Sequence, residues 1–111
     1  MTEKGLKCLS DILLAIELIE GFIQGIDSYA DYQKDQKTKS AVERQPGIIG
    51  EAANQFRKVE SFFELSHIRQ VVTFRNRLIH AYDSVDDSIV WTIVKNHLPI
   101  LKSEAQLGLA E

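Results

Sequence analysis

Apolar residues return along this chain at every third or fourth position and almost never in strict alternation. That period belongs to helices with one face turned to a core. Leu6, Leu9, Leu13, Ile16, Ile19, Ile23 and Ile26 form the first stripe, widened by Ile12 and Phe22. They predict a helix from about Lys4 to Tyr29. Gly21 and Gly25 fall inside it, and their spacing would let a neighbouring helix approach closely. The next stretch, DYQKDQKTKS, is polar and charged and reads as a linker with room for one helical turn. A second stripe, Val42, Ile49, Ala52, Ala53, Phe56 and Val59, predicts a helix running to about Lys58. Pro46 interrupts it and calls for a kink or a late start, because proline removes a helix hydrogen bond. Ser61 to Ser66 reads as a connection whose Phe62, Phe63 and Leu65 plug the core.

A third helix is expected over about His67 to Ala81, with Ile68, Val71, Val72, Phe74, Leu78 and Ile79 on its apolar side. Asp83 and Ser84 mark a break, and Asp86 or Asp87 can cap the helix that follows. That fourth helix carries Ile89, Val90, Ile93, Val94, Leu98, Ile100 and Leu101, and Pro99 should bend or loosen it. The tail beyond Leu107 should fray. Four amphipathic helices on short connections predict an all-α, antiparallel four-helix bundle, with room for a short extra helix. A chain of 111 residues reads as a single domain, residues 1–111, small enough to gain from oligomerisation.

Composition narrows the functions open to such a bundle. Hydrophobic residues make up 44% and charged residues 26%, which is ordinary for a soluble protein. No run is long enough to span a membrane or to act as a signal peptide. The formal net charge of −3 supplies no global field for nucleic acid, so any RNA contact must be local. The single cysteine, Cys8, rules out an intrachain disulfide and fits a cytoplasmic setting; it reads as a small buried hydrophobe. His67 and His97 have no second ligand at a metal-binding spacing, and no glycine-rich phosphate loop is present. The sequence calls for neither a metal nor a cofactor.

One segment concentrates candidate chemistry. RNRLIHAY, from Arg75 to Tyr82, places two arginines, an asparagine, a histidine and a tyrosine within eight residues. On a helix, Asn76 and His80 share a face, and a long Arg75 side chain can curl toward the imidazole. Histidine exchanges protons near neutral pH, and arginine presents a fork of donors matched to phosphate oxygens. Together they suit metal-free cleavage of RNA by its own 2′-hydroxyl. Histidine would move the proton and arginine would stabilise the phosphorane. One histidine cannot be base and acid at once, and a two-fold dimer would supply the second. On spacing alone the competing interpretation is structural: an arginine bonded to a bundle carboxylate and a histidine with its ring half-buried.

The spacing Arg75, Asn76, three residues, His80, one residue, Tyr82 resembles the hallmark of the HepT-like branch of the HEPN superfamily, the ribonuclease toxins of toxin–antitoxin pairs. IIGEAANQF, from Ile48 to Phe56, resembles that family's second-helix signature. VDDSIVWTIVKNHLPIL, from Val85 to Leu101, resembles its last helix, internal proline included. The resemblance implies an all-helical bundle and a homodimer with Arg75 and His80 as the catalytic pair in a cleft between protomers. Asn76 would support them. Tyr82 matches the tyrosine that a cognate MntA-type nucleotidyltransferase antitoxin modifies with AMP. The chain departs from the family pattern at Val72 and Thr73, near where a glycine is common, and at Pro46, where a helix former is usual. Arg77, Arg57, Lys58 and Arg69 are the candidate RNA contacts, while acids gather at Glu17, Glu20, Asp83, Asp86 and Asp87. Arg44 and the linker lysines Lys34, Lys37 and Lys39 could extend a basic rim, although all of these charges could equally be solvated faces. The expected function is an endoribonuclease toxin; the alternative is a catalytically silent helical module that binds a nucleotidyltransferase.

Overall fold

In a computed structural model, residues 1–60, 62–66, 69–73 and 86–110 are described, and among them there is no strand. Helix α1 spans Glu3–Phe22, α2 Tyr29–Lys34, α3 Gln36–Val59, α4 Asp87–Thr92 and α5 Leu98–Ala110. Residues 69–73 are helical, and Ile93–His97 form a π-helical link between α4 and α5. The expected all-α bundle is present. Its antiparallel course can be followed through contacts between helix ends. Thr2, at the start of α1, bonds Glu60 just beyond the end of α3, with its amide and its hydroxyl donating to the same carboxylate oxygen at 2.7 and 2.8 Å. Lys102, early in α5, bonds Glu20 late in α1, while Gly108 near the end of α5 lies against Leu9. Thus α1 runs against both α3 and α5.

The shared core is made by the stripes read from the sequence. Leu9, Ile12, Ile16 and Ile19 of α1 pack with Val42, Ile49, Ala53 and Phe56 of α3, and with Leu98, Leu101 and Ala105 of α5. Burying each large aliphatic or aromatic side chain contributes about 1.5–3 kcal/mol. Cys8 is buried, and burial raises its thiol pKa, so it is a core residue as expected.

Several boundaries differ from the expected ones. Helix α1 stops at Phe22, seven residues early, because Gly25 takes a positive φ of 85° that turns the chain. Ile23 and Ile26 still pack on the core from the turn, so the apolar period outlasts the helix. The polar stretch is not a linker. Ser28 caps α2 by accepting from the Asp31 amide, and Asp35 caps α3 by accepting from the Thr38 amide. Tyr32, the one large ring of that stretch to be fully buried, fastens it to the core. Helix α3 passes through Pro46 without a break.

Asp86 caps α4, accepting from the Ser88 amide at 2.8 Å and from its hydroxyl at 2.6 Å. The loosening expected at Pro99 occurs just before it. The Leu98 amide donates to Ile93, five residues back, and the wider turn accommodates a residue with no N–H. The C-terminal tail does not fray within the described residues, since Gly108 is buried and Leu109 packs on the core. A Cβ at Gly108 would lie 2.6 Å from Leu9 Cδ1, and one at Gly5 2.7 Å from Glu60 Cγ. Gly21 and Gly25 meet nothing within 4 Å of such an atom among the described residues, so no neighbouring helix there uses the room their spacing offers. Phe62 does not plug the core either. Its ring is fully exposed, while Phe63 and Leu65 do pack inward.

Candidate functional site

Arg75, Asn76, Arg77, His80 and Tyr82 lie outside the described residues, as do Asp83 and His67. What is described is the ground on either side of that segment: residues 69–73 before it and Asp86 with α4 after it. Two cavities open there. The larger, about 510 Å³, lies where the end of α3 meets the 62–66 loop and the start of the helical stretch 69–73; Arg57, Ser66, Arg69 and Gln70 line it above Phe56 and Phe63. The second, about 390 Å³, is bounded by Arg69, Gln70 and Thr73 on one side and by Ser88, Ile89, Thr92 and Ile93 on the other, with His97 at the π-helical link. Arg69 and Gln70 belong to both, and Thr73 is two residues before Arg75 in the chain.

Local bonding explains why the larger cavity keeps its form. The Ser66 amide donates to both carboxylate oxygens of Glu104 on α5, at 3.1 and 3.0 Å, which anchors the loop. Phe63 meets the buried Phe56 edge-on, with centroids 5.9 Å apart and planes at 88°. Arg57 Nε donates to Asn54 Oδ1 at 3.0 Å, one turn back on α3, which orients the guanidinium while its terminal nitrogens extend further. Thr2 holds Glu60, and those bonds keep its carboxyl below the usual range. Among the described residues no ion pair engages Arg57 or Arg69. Two of the expected RNA contacts therefore share one cavity; Lys58, exposed on the same last turn of α3, does not line it.

Other charges turn out to be structural. Lys39 pairs with Asp87 at 3.0 Å, with side chains only 15% and 20% exposed, so it is no part of a basic rim. Glu43, one turn along α3, sits beside this pair; burial and the nearby Asp87 raise its pKa. The Tyr32 hydroxyl is buried there without a hydrogen-bond partner among the described residues, and burial raises its pKa strongly. Glu51 is exposed and accepts from Gln55 at 3.3 Å. No group of three or more His, Cys, Asp or Glu capable of holding a metal occurs among the described residues. No helix among them is long and apolar enough to cross a membrane.

Residues 12–107 match the family described as ribonuclease HepT-like. The chain belongs to that family. A relative from Thermococcus cleftensis, named "Probable ribonuclease HepT", is 40% identical over 100 residues, covering 86% of this chain and 87% of its own. One from Methanocaldococcus jannaschii, named "Putative RNase MJ1380", is 34% identical over 112 residues, covering 96% and 99%. No solved structure matches the chain significantly. The HepT-like match reaches from α1 into α5, so the two cavities, the loop between them and the RNRLIHAY segment all fall inside it. Reading for motifs found the segment but missed Ser66, Gln70 and Glu104. Arg57 and Arg69 stood out only as basic residues, because their meeting depends on a loop that doubles back between them.

Proposed function

We propose that this protein is a metal-independent endoribonuclease toxin, acting as a homodimer and held in check by a nucleotidyltransferase antitoxin. The observation that carries the reading is the HepT-like family match over residues 12–107, which encloses Arg75, Asn76, His80 and Tyr82 at the family's spacing. The names of the relatives support ribonuclease chemistry. In this reading His80 of one protomer takes the 2′-hydroxyl proton, and the oxygen attacks the adjacent phosphorus. His80 of the other protomer gives a proton to the departing 5′-oxygen. Arg75 neutralises the charge that builds on the phosphorane, and Asn76 orients the imidazole or the phosphate. The products are a 2′,3′-cyclic phosphate and a 5′-hydroxyl. Arg57, Lys58, Arg69 and Arg77 hold the flanking RNA.

Tyr82 is the control point. An AMP group on its hydroxyl would place a phosphate near the arginines, where charge-assisted hydrogen bonds can hold it, and a nucleoside in the path of RNA. Cleavage assays in the presence of chelator, on wild type, His80→Ala and Arg75→Ala, test the chemistry. Cyclic-phosphate ends made by wild type and lost in both variants are expected. Equal background in all three would leave the alternative, a silent module that binds the nucleotidyltransferase. Co-expression with a neighbouring nucleotidyltransferase should add AMP mass to the Tyr82 peptide, absent in Tyr82→Phe. An unmodified peptide with full neutralisation would instead mean inhibition by binding.

A further inference from the structure

The 62–66 loop raises a question the fold does not answer. Phe62 is fully exposed, although burying a phenylalanine ring contributes about 1.5–3 kcal/mol. Its neighbours Phe63 and Leu65 do turn inward, and the Glu104 anchor fixes the loop at Ser66. Phe62 is thus presented to solvent from a held loop; it is not itself in the lining of the 510 Å³ cavity but directly precedes Phe63, which lines that cavity with Arg57 and Arg69.

We infer that this cavity and Phe62 together form a single-stranded RNA subsite, which takes one nucleotide, its phosphate between Arg57 and Arg69 and its base stacked on Phe62. The inference rests on the ribonuclease reading and deepens it. The cavity volume falls in the range of small-ligand sites. Two guanidinium groups that no ion pair engages among the described residues offer planar forks to phosphate oxygens. Ser66 and Gln70 add neutral hydrogen-bonding groups suited to a ribose or a base edge. An exposed ring accepts any base face, which supplies affinity with little sequence demand. Glu64 on the same lining, with Glu60 already held by Thr2, limits the local charge. That balance suits one phosphate rather than the polyanion of a duplex. A protein partner would gain from Phe62 but would leave the two arginines to be desolvated.

The test uses the full-length chain and a fluorescein-labelled 12-nucleotide RNA of mixed sequence. Binding is followed by anisotropy in a His80→Ala background, so that the RNA stays intact. Phe62→Ala should weaken binding by about five- to a hundredfold, and Phe62→Trp should restore it. Arg57→Ala and Arg69→Ala should each weaken binding and flatten the slope of log affinity against log salt by about 0.7, whereas Phe62→Ala leaves that slope unchanged. A merely structural role would not divide the variants in this way. Affinities and slopes equal to the parent's in all three alanine variants would overturn the subsite. So would Phe62→Ala that leaves RNA binding intact while disrupting the dimer or capture of a partner protein. Cleavage of the same RNA by protein with His80 intact is scored separately: failure there with the binding pattern intact removes the ribonuclease reading and leaves the subsite standing.

Discussion

The two ends of α3 treat charge and aromatic surface in opposite ways. Lys39 and Arg57 are separated by about 27 Å along the helix at 1.5 Å per residue. At the Lys39 end one ion pair is largely covered, Lys39 with Asp87, and Glu43 lies alongside. The aromatic pair is inward too, with Tyr32 fully buried and stacked on Trp91 at 5.1 Å. At the Arg57 end the arginines are exposed, and an aromatic ring stands wholly in solvent. One end clamps α2 and α4 to α3; at the other, no ion pair among the described residues engages Arg57 or Arg69, and the Phe62 ring is uncovered. The same residue types therefore take different roles according to whether the fold uses up their bonding capacity.

The largest expected contrast is between two aromatic truncations. Tyr32→Ala removes a fully buried ring and should lower unfolding free energy by about 3–5 kcal/mol, measured by urea titration. Phe62→Ala should change it by no more than about 0.5 kcal/mol, since its ring contributes no burial. A large loss at Phe62 would mean that the two ends are alike. The charges should separate next. Asp87→Ala leaves Lys39 covered and unpaired, for a loss of about 2 kcal/mol; relief of Glu43 holds the figure below that of a fully buried pair. Arg57→Ala and Arg69→Ala should be near neutral in the same titration.

How far these roles could be read from the sequence depends on how each is encoded. The stripes of α1 and α3 were legible because many residues repeat one period. Helix α2 was not, because only Tyr32, fully buried, and Tyr29, partly buried, pack it amid polar neighbours, and the caps Ser28 and Asp35 mark its place. The end of α1 was missed because the apolar period continues through a turn that Gly25 makes. Lys39 read as one more solvated lysine, since its partner Asp87 is 48 positions away. RNRLIHAY offers candidate chemistry through local spacing alone and lies outside the described residues, whereas the cavity lined by Arg57 and Arg69 needs the loop that brings them together.

Finer changes sharpen the picture of the paired end. Tyr32→Phe removes a buried hydroxyl that has no hydrogen-bond partner among the described residues, so it should be neutral or stabilise by up to about 1 kcal/mol. A loss above 1 kcal/mol would show that the hydroxyl is satisfied after all. The smallest effect concerns pH. The pKa of Glu43 is raised above its usual 4.5, so the folded state holds this proton more tightly than the unfolded one. Glu43 should therefore make stability fall as pH rises from 4.5 through its folded value. Lys39, Asp87 and Tyr32 are the groups around it. Asp35, Glu60 and Asp86 act with the opposite sign: hydrogen bonds from Thr38, Thr2 and Ser88 depress their pKa values, and their support is lost as acid titrates them. Melting temperatures from pH 4 to 7, compared between wild type and Glu43→Gln, isolate the Glu43 contribution; identical curves would remove it.

Trp91 is the only tryptophan in the chain; its ring stacks on Tyr32, and the Lys95 ammonium lies 5.1 Å from its centroid. Intrinsic fluorescence excited at the red edge of its absorption therefore samples one locality, the α2–α4 clamp. Quenching and emission wavelength should track loosening at the Lys39–Asp87 end and stay silent when a ligand enters the cavity at Arg57. The protein carries a built-in optical gauge for its structural end, and a probe for the other end has to be introduced, with Phe62→Trp as the natural place.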